Sequence, residues 1–120
     1  MSPNKSTNAA LNGIRVIDFS RIVAGPHSTM CLADFGADVI KVEDTGKGDG
    51  LLATADVLVE NFRTGVMEKY GVGYEDITAR YPRLVYCSIS GYGREGSQAR
   101  RAAYDPVVQA ESGQMATNGS

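Results

Sequence analysis

Apolar residues fall in short bursts cut apart by glycine, proline and polar turns, and the bursts alternate between strand-like and helix-like lengths. "IRVIDFS" (14–20) mixes Val, Ile and Phe into a short strand. In the following "RIVAGPHSTMCLADFGA", Gly25 and Pro26 begin a helix with Met30, Cys31 and Phe35 at helical spacing, and Gly36 ends it. "ADVIKVE" (37–43) is a second strand. Strand, helix and strand in so short a span form a βαβ unit, which predicts a right-handed crossover and a parallel pair. A third strand, "DVLVEN" (56–61), precedes two short helical patterns, "FRTGVMEKYG" and "GYEDITARYP", punctuated by Gly71, Gly73 and Pro82. "RLVYCSIS" then reads as a fourth strand, "GYGREGSQARR" as a long loop, and Pro106 as the first residue of a short helix capped by Asp105. The fold class is α/β, a partial Rossmann-like open parallel sheet. Residues 1–10 are small and polar and are expected to be disordered.

One junction breaks the alternation. A parallel connection normally takes a dozen or more residues and a helix, yet only eleven lie from Asp44 to Thr54, about half of them turn formers. "LLATA" supplies barely one helical turn. The third strand is therefore expected not to join the same sheet in parallel by its own local crossover.

Composition narrows the chemistry. The 120 residues make one domain at most, and 42% hydrophobic with 22% charged residues is ordinary for a soluble globular protein. A formal charge of -2 argues against nucleic acid as a partner, and the adjacent Arg100 and Arg101 read as a solvated turn. Neither a run of about 18 apolar residues nor a secretory h-region occurs, so no membrane partner and a cytoplasmic location are expected. Cys31 and Cys87 read as reduced thiols in apolar surroundings rather than a disulfide, and no metal site is expected. His27, the sole histidine, suits a capping or surface role. "DTGKGDG" fits neither a P-loop nor a dinucleotide fingerprint nor an EF-hand, which leaves a plain turn. The helix start near Val23 to Pro26 would offer free N–H groups to an anion at the carboxyl end of the first strand, a weak signal alone.

Several blocks in order, "LNGIRVIDFSRIVAGPHSTMCLADFGADVIKVE", "GKGD", "ADVLVENFRTGVMEKYGVGYEDI", "PRLVYCSISGYGREG" and "AAYDPVVQAESGQMATNG", resemble the family III CoA-transferases, which include formyl-CoA transferase, carnitine CoA-transferase and the α-methylacyl-CoA racemases. The resemblance implies that residues 11–120 are an incomplete N-terminal α/β domain of that family. A strand and most of a crossover helix would be missing near residues 50–51. It implies coenzyme A as a substrate, bound by Val23 and Ala24 at the first helix start, Asn61 and Phe62 after the third strand, and Lys69 with Tyr70. Phe62 would cover an adenine face, Asn61 would hydrogen-bond ring or ribose, and Lys69 would meet a phosphate. Without the resemblance, strand-end packing for Phe62 and a solvated helix face for Lys69 are the favoured readings. Asp44 stands where some relatives place a phosphate-binding arginine.

The same resemblance implies transfer of CoA between an acyl-CoA and a small carboxylic acid through an aspartyl anhydride. The attacking aspartate is expected beyond Ser120, so a fragment inactive alone is expected. Asp105 matches a second active-site carboxylate of some members, and an N-cap role explains it equally. Tyr104 stands where racemases carry a proton-transferring histidine, which favours transferase over racemase. Family members form interlocked homodimers. A non-catalytic module that binds coenzyme A or a nucleotide is the alternative of a different class.

Overall fold

The computed structural model of the chain describes residues 9–43 and 49–118. Residues 1–8, part of the stretch expected to be disordered, and residues 44–48, with Asp44 and most of the glycine turn, lie outside the described residues. The chain forms two compact units, residues 1–89 and 90–120.

The first unit runs β1 (Arg15–Asp18), α1 (Ala24–Asp34), β2 (Asp38–Lys41), α2 (Asp49–Leu52), β3 (Val57–Glu60), α3 (Val66–Lys69), α4 (Tyr74–Arg80) and β4 (Val85–Ser88). Its four strands form one sheet in the order β2-β1-β3-β4, with every neighbouring pair parallel. Val16 stands beside Val39 and Val57, and Ile17 beside Ile40 and Leu58, so each row of partners faces one side. Val16, Val57 and Val59 pack with Leu32 of α1 on one face, while Ile17 and Leu58 pack with Leu52, Met67 and Ile77 of α2, α3 and α4 on the other. The central strands are covered on both faces, which is why they read as continuous apolar runs.

The wiring expectation is overturned. β3 does enter the same sheet in parallel, pairing with β1 on the side away from β2. Among the described residues, the connection of residues 42–56 contains a single helical turn, α2. Chain reach explains it: fifteen residues can extend to about 50 Å, whereas the return needs roughly 13 Å down the sheet and about 10 Å across two strand spacings. A full helix is needed to bury a sheet face, not to span it. Here Leu52, 1% exposed, and the half-buried Leu51 do that burying.

α1 also differs from its sequence pattern. It starts at Ala24, one residue before the predicted Gly25, a shift ordinary for helix ends. Met30 and Phe35 are exposed, and the inward stripe is Gly25, Thr29 and Leu32. A threonine points inward because a buried carboxylate on β1 requires a hydrogen-bond donor there. The exposed His27 suits the surface role, and Cys87 lies exposed on the edge strand β4.

The second unit holds a loop followed by α5 (Asp105–Glu111) and α6 (Gln114–Thr117). Asp105 is the first helical residue rather than the cap, and Pro106 takes the second position. No side chain caps this helix; Asp105 instead accepts a 2.5 Å hydrogen bond from Gln109 Nε2. Glu111 anchors the loop, accepting from the Tyr92 hydroxyl at 2.6 Å and pairing with Arg101, whose guanidinium lies 5.0 Å from the Tyr92 ring centroid. The Tyr92 hydrogen bond and Arg101 together hold the Glu111 carboxyl below its ordinary value.

Candidate functional site

The strand order reverses between β1 and β3, since β1 connects outward to β2 and β3 outward to β4. In open α/β sheets a ligand crevice lies outside the carboxyl ends of the two strands at such a point. The loops that meet there are residues 19–23 and 61–64.

They are tied together by one side chain. Asn61 Oδ1 accepts from Arg21 N at 2.8 Å, and Asn61 Nδ2 donates to Arg21 O at 2.8 Å. Glu60, 2% exposed at the end of β3, accepts from Phe62 N at 2.8 Å and so fixes the start of the second loop. The Arg21 guanidinium carbon sits 5.4 Å from the Phe62 ring centroid, a cation–π contact across the crevice.

Beyond Arg21 the backbone is strained. Ile22 has φ +69°, the sole non-glycine with positive φ among the described residues. A β-branched residue there costs on the order of 1–3 kcal/mol, and such strain persists only where its surroundings over-determine it. Ile22 is 82% exposed and Val23 70% exposed, two apolar side chains raised into solvent at the head of α1. Gly25 makes the approach of α1 to β1 possible, since a Cβ there would lie 2.1 Å from Ser20 Cβ.

Beneath this turn lies Asp18, 2% exposed. It accepts hydrogen bonds from Ser20 N at 2.7 Å, from Ser20 Oγ, and from Thr29 Oγ1 at 2.7 Å, and Lys41 Nζ stands 3.3 Å away. Burial pushes its carboxyl upward, but the hydrogen bonds from Ser20 and Thr29 and the charge of Lys41 outweigh that and leave it below the ordinary value. A cavity of about 410 Å³ opens beside the turn, lined by Ser20, Arg21, Ile22, Pro26, Lys41, Val42 and Glu43.

Of the residues singled out from sequence, Val23 and Ala24 stand at the head of α1, and Asn61 and Phe62 lie in the loop after β3, where both contact Arg21. Lys69 ends α3 and Tyr70 follows it, both exposed; among the described residues neither side chain bonds to the crevice loops. Asp105 and Tyr104 belong to the second unit. Sequence reasoning missed Asp18, Arg21, Thr29 and Lys41. A signal existed for Asp18, an acid closing an otherwise apolar strand, because carboxylates are rarely buried without partners. Among the described residues no three His, Cys, Asp or Glu gather as metal ligands, and no helix is long and apolar enough to cross a membrane.

A family model described as CoA-transferase family III matches residues 11–51 and 49–120. The succinyl-CoA:glutarate CoA-transferase of Mus musculus is 36% identical over 150 residues, which is 91% of this chain and 34% of the relative. The acetyl-CoA:oxalate CoA-transferase of Acetobacter aceti is 34% identical over 90% of this chain and 38% of its own. The crystal structure of Rv3272 from Mycobacterium tuberculosis superposes with a TM-score of 0.83 at 36% identity, covering 98% of this chain and 41% of that one. A CAIB/BAIF family protein from Brucella suis gives 0.81 at 35% identity, covering 88% and 40%. The chain thus spans a little over a third of the length of the relatives it matches.

Proposed function

Because this chain belongs to CoA-transferase family III, we propose that its first unit is the coenzyme A-recognising part of an enzyme that moves CoA between an acyl-CoA and a small carboxylic acid. The observation that carries the reading is the crevice between β1 and β3, where Asn61 holds the Arg21 backbone ahead of the strained Ile22 and the Arg21 guanidinium lies over the Phe62 ring. The adenine ring lies on Phe62, displacing the guanidinium that rests there, and Arg21 and Lys69 answer the phosphates.

Transfer in this reading begins when an aspartate carboxylate attacks the thioester carbonyl. The C–S bond breaks, the CoA thiolate leaves, and an aspartyl anhydride forms. Residues 11–120 hold no counterpart of that aspartate by resemblance, so these residues supply recognition and orientation. Asp105 is the second carboxylate of that chemistry. Homodimeric assembly and a cytoplasmic location belong to the same reading.

The short β2–β3 connection supports an internal shortening relative to the family. The match to a fungal acyl-CoA transferase runs over 163 positions but uses 95% of this 120-residue chain, about 114, so some fifty positions of the relative have no counterpart. The family model also breaks into two segments at residues 49–51.

Calorimetric titration of the chain with coenzyme A tests recognition. Binding of at least millimolar affinity, about 4 kcal/mol, is expected, and its absence overturns the proposal. Robust acyl transfer by the chain alone would overturn the division of labour.

A further inference from the structure

Four consecutive backbone groups ahead of Ile22 are held by three side chains, each from a different strand or loop. Ser20 N–H is taken by Asp18 at the end of β1, and Ser20 C=O by Lys41 Nζ at the end of β2. Arg21 N–H and C=O are both taken by Asn61 after β3. Asp18 is the hub, since it also accepts the Ser20 hydroxyl and the Thr29 hydroxyl of α1 and faces the ammonium of Lys41. These contacts leave the chain no freedom to relax the left-handed φ of Ile22 by rotating the peptides before it.

We propose that Asp18 is a positioning residue for the coenzyme A site, acting through Ser20 and Lys41 to hold the Ile22–Val23 turn in its binding geometry while touching no ligand itself. This rests on the functional reading above for the identity of the ligand. A buried carboxylate that served packing alone would need its partners satisfied but not aimed. Here its partners are the β1–α1 turn, the second turn of α1 and the last residue of β2, three elements that border the crevice and its flanking cavity. Its charge matters as well as its shape, because Lys41 reaches Ser20 C=O from beside that charge.

The test compares Asp18→Asn, Lys41→Gln and Leu84→Ala in the full chain, reading coenzyme A affinity by calorimetry and amide exchange residue by residue by NMR. Asp18→Asn keeps an acceptor for Ser20 N–H but removes the charge. Its coenzyme A affinity is expected to fall about tenfold, ~1.4 kcal/mol, with exchange of the Ser20 and Arg21 amides accelerated more than that of Leu58. Lys41→Gln, at a half-exposed site, folds and shows a smaller change in the same direction. Leu84→Ala removes a buried core side chain of the other face; it accelerates exchange broadly and leaves the affinity of the folded fraction unchanged. Unchanged affinity in Asp18→Asn, with Ser20 and Arg21 protected as in the parent, overturns the proposal. Absence of coenzyme A binding by the unsubstituted chain would instead overturn the functional reading, and the exchange comparison alone would then decide whether Asp18 holds the turn.

Discussion

The Asn61 carboxamide holds the Arg21 backbone at both of its polar groups, accepting from its N–H and donating to its C=O, each at 2.8 Å. Two loops that leave different strands are thereby joined without any backbone pairing between them. Asn61→Asp keeps the acceptor and replaces the donor with a second oxygen that repels the Arg21 carbonyl. The expected cost is about 1 kcal/mol for the lost hydrogen bond, seen as a lower urea midpoint at unchanged slope. Coenzyme A affinity should fall with it. If Asn61 met the ligand directly and left Arg21 alone, affinity would fall while stability did not.

Two glycines give opposite signs for the same substitution. At Gly25 an added Cβ would meet Ser20 Cβ at 2.1 Å and Ser20 Oγ at 2.2 Å, and Ser20 is itself anchored on Asp18 and Lys41. Neither partner can step aside, so Gly25→Ala should destabilise by about 1–3 kcal/mol. Gly50 lies in α2, where an added methyl would have no neighbour within 4 Å among the described residues and φ is not left-handed. Gly50→Ala should stabilise by about 0.4–1 kcal/mol. Thermal melts of both variants check the pair.

Asp18 sets a pH dependence of stability. Its folded-state pKa lies below the unfolded value because the hydrogen bonds and Lys41 outweigh burial. A group depressed on folding contributes fully above its unfolded pKa, near 3.9 for aspartate, and that contribution is lost as pH falls through the folded value. Denaturation free energies should therefore decline steeply below about pH 4. Asp18→Asn should show a shallower decline over the same window. Equal slopes for parent and variant would show that Asp18 contributes none of it.

The strands and the α/β class were legible because buried parallel strands need apolar, β-branched centres, and Val16-Ile17 and Val57-Leu58-Val59 supply them. The site was legible in part. Phe62 and Asn61 carry chemistry visible in their side chains, and the resemblance pointed to them. Thr29 and Lys41 were not visible, because their roles arise from a contact with Asp18 across 11 and 23 residues of chain that no local pattern encodes. α1 misled for the same reason: Met30 and Phe35 fit helical spacing, yet its inward face follows the polar need of Asp18. The connection after β2 misled because a parallel crossover was expected to need a dozen or more residues and a full helix, whereas fifteen residues have ample reach for the distance.

That connection yields the last prediction. If the single turn α2 stands in for a longer crossover, its apolar residues must carry the burial such a helix would provide. Leu52 is 1% exposed and packs in the cluster of Ile17, Leu58 and Ile77 beneath the sheet, while Leu51 flanks it half-buried. Leu52→Ala should then cost about 2–5 kcal/mol, as much as a leucine in the centre of any core. The adjacent exposed Ala53 offers a control, since Ala53→Ser should shift stability by less than about 0.5 kcal/mol. The loss in Leu52→Ala should appear as faster exchange at Ile17 and Leu58, the two strands the turn covers. A cost under about 1 kcal/mol would mean that α2 only bridges β2 and β3 and that another segment buries this face.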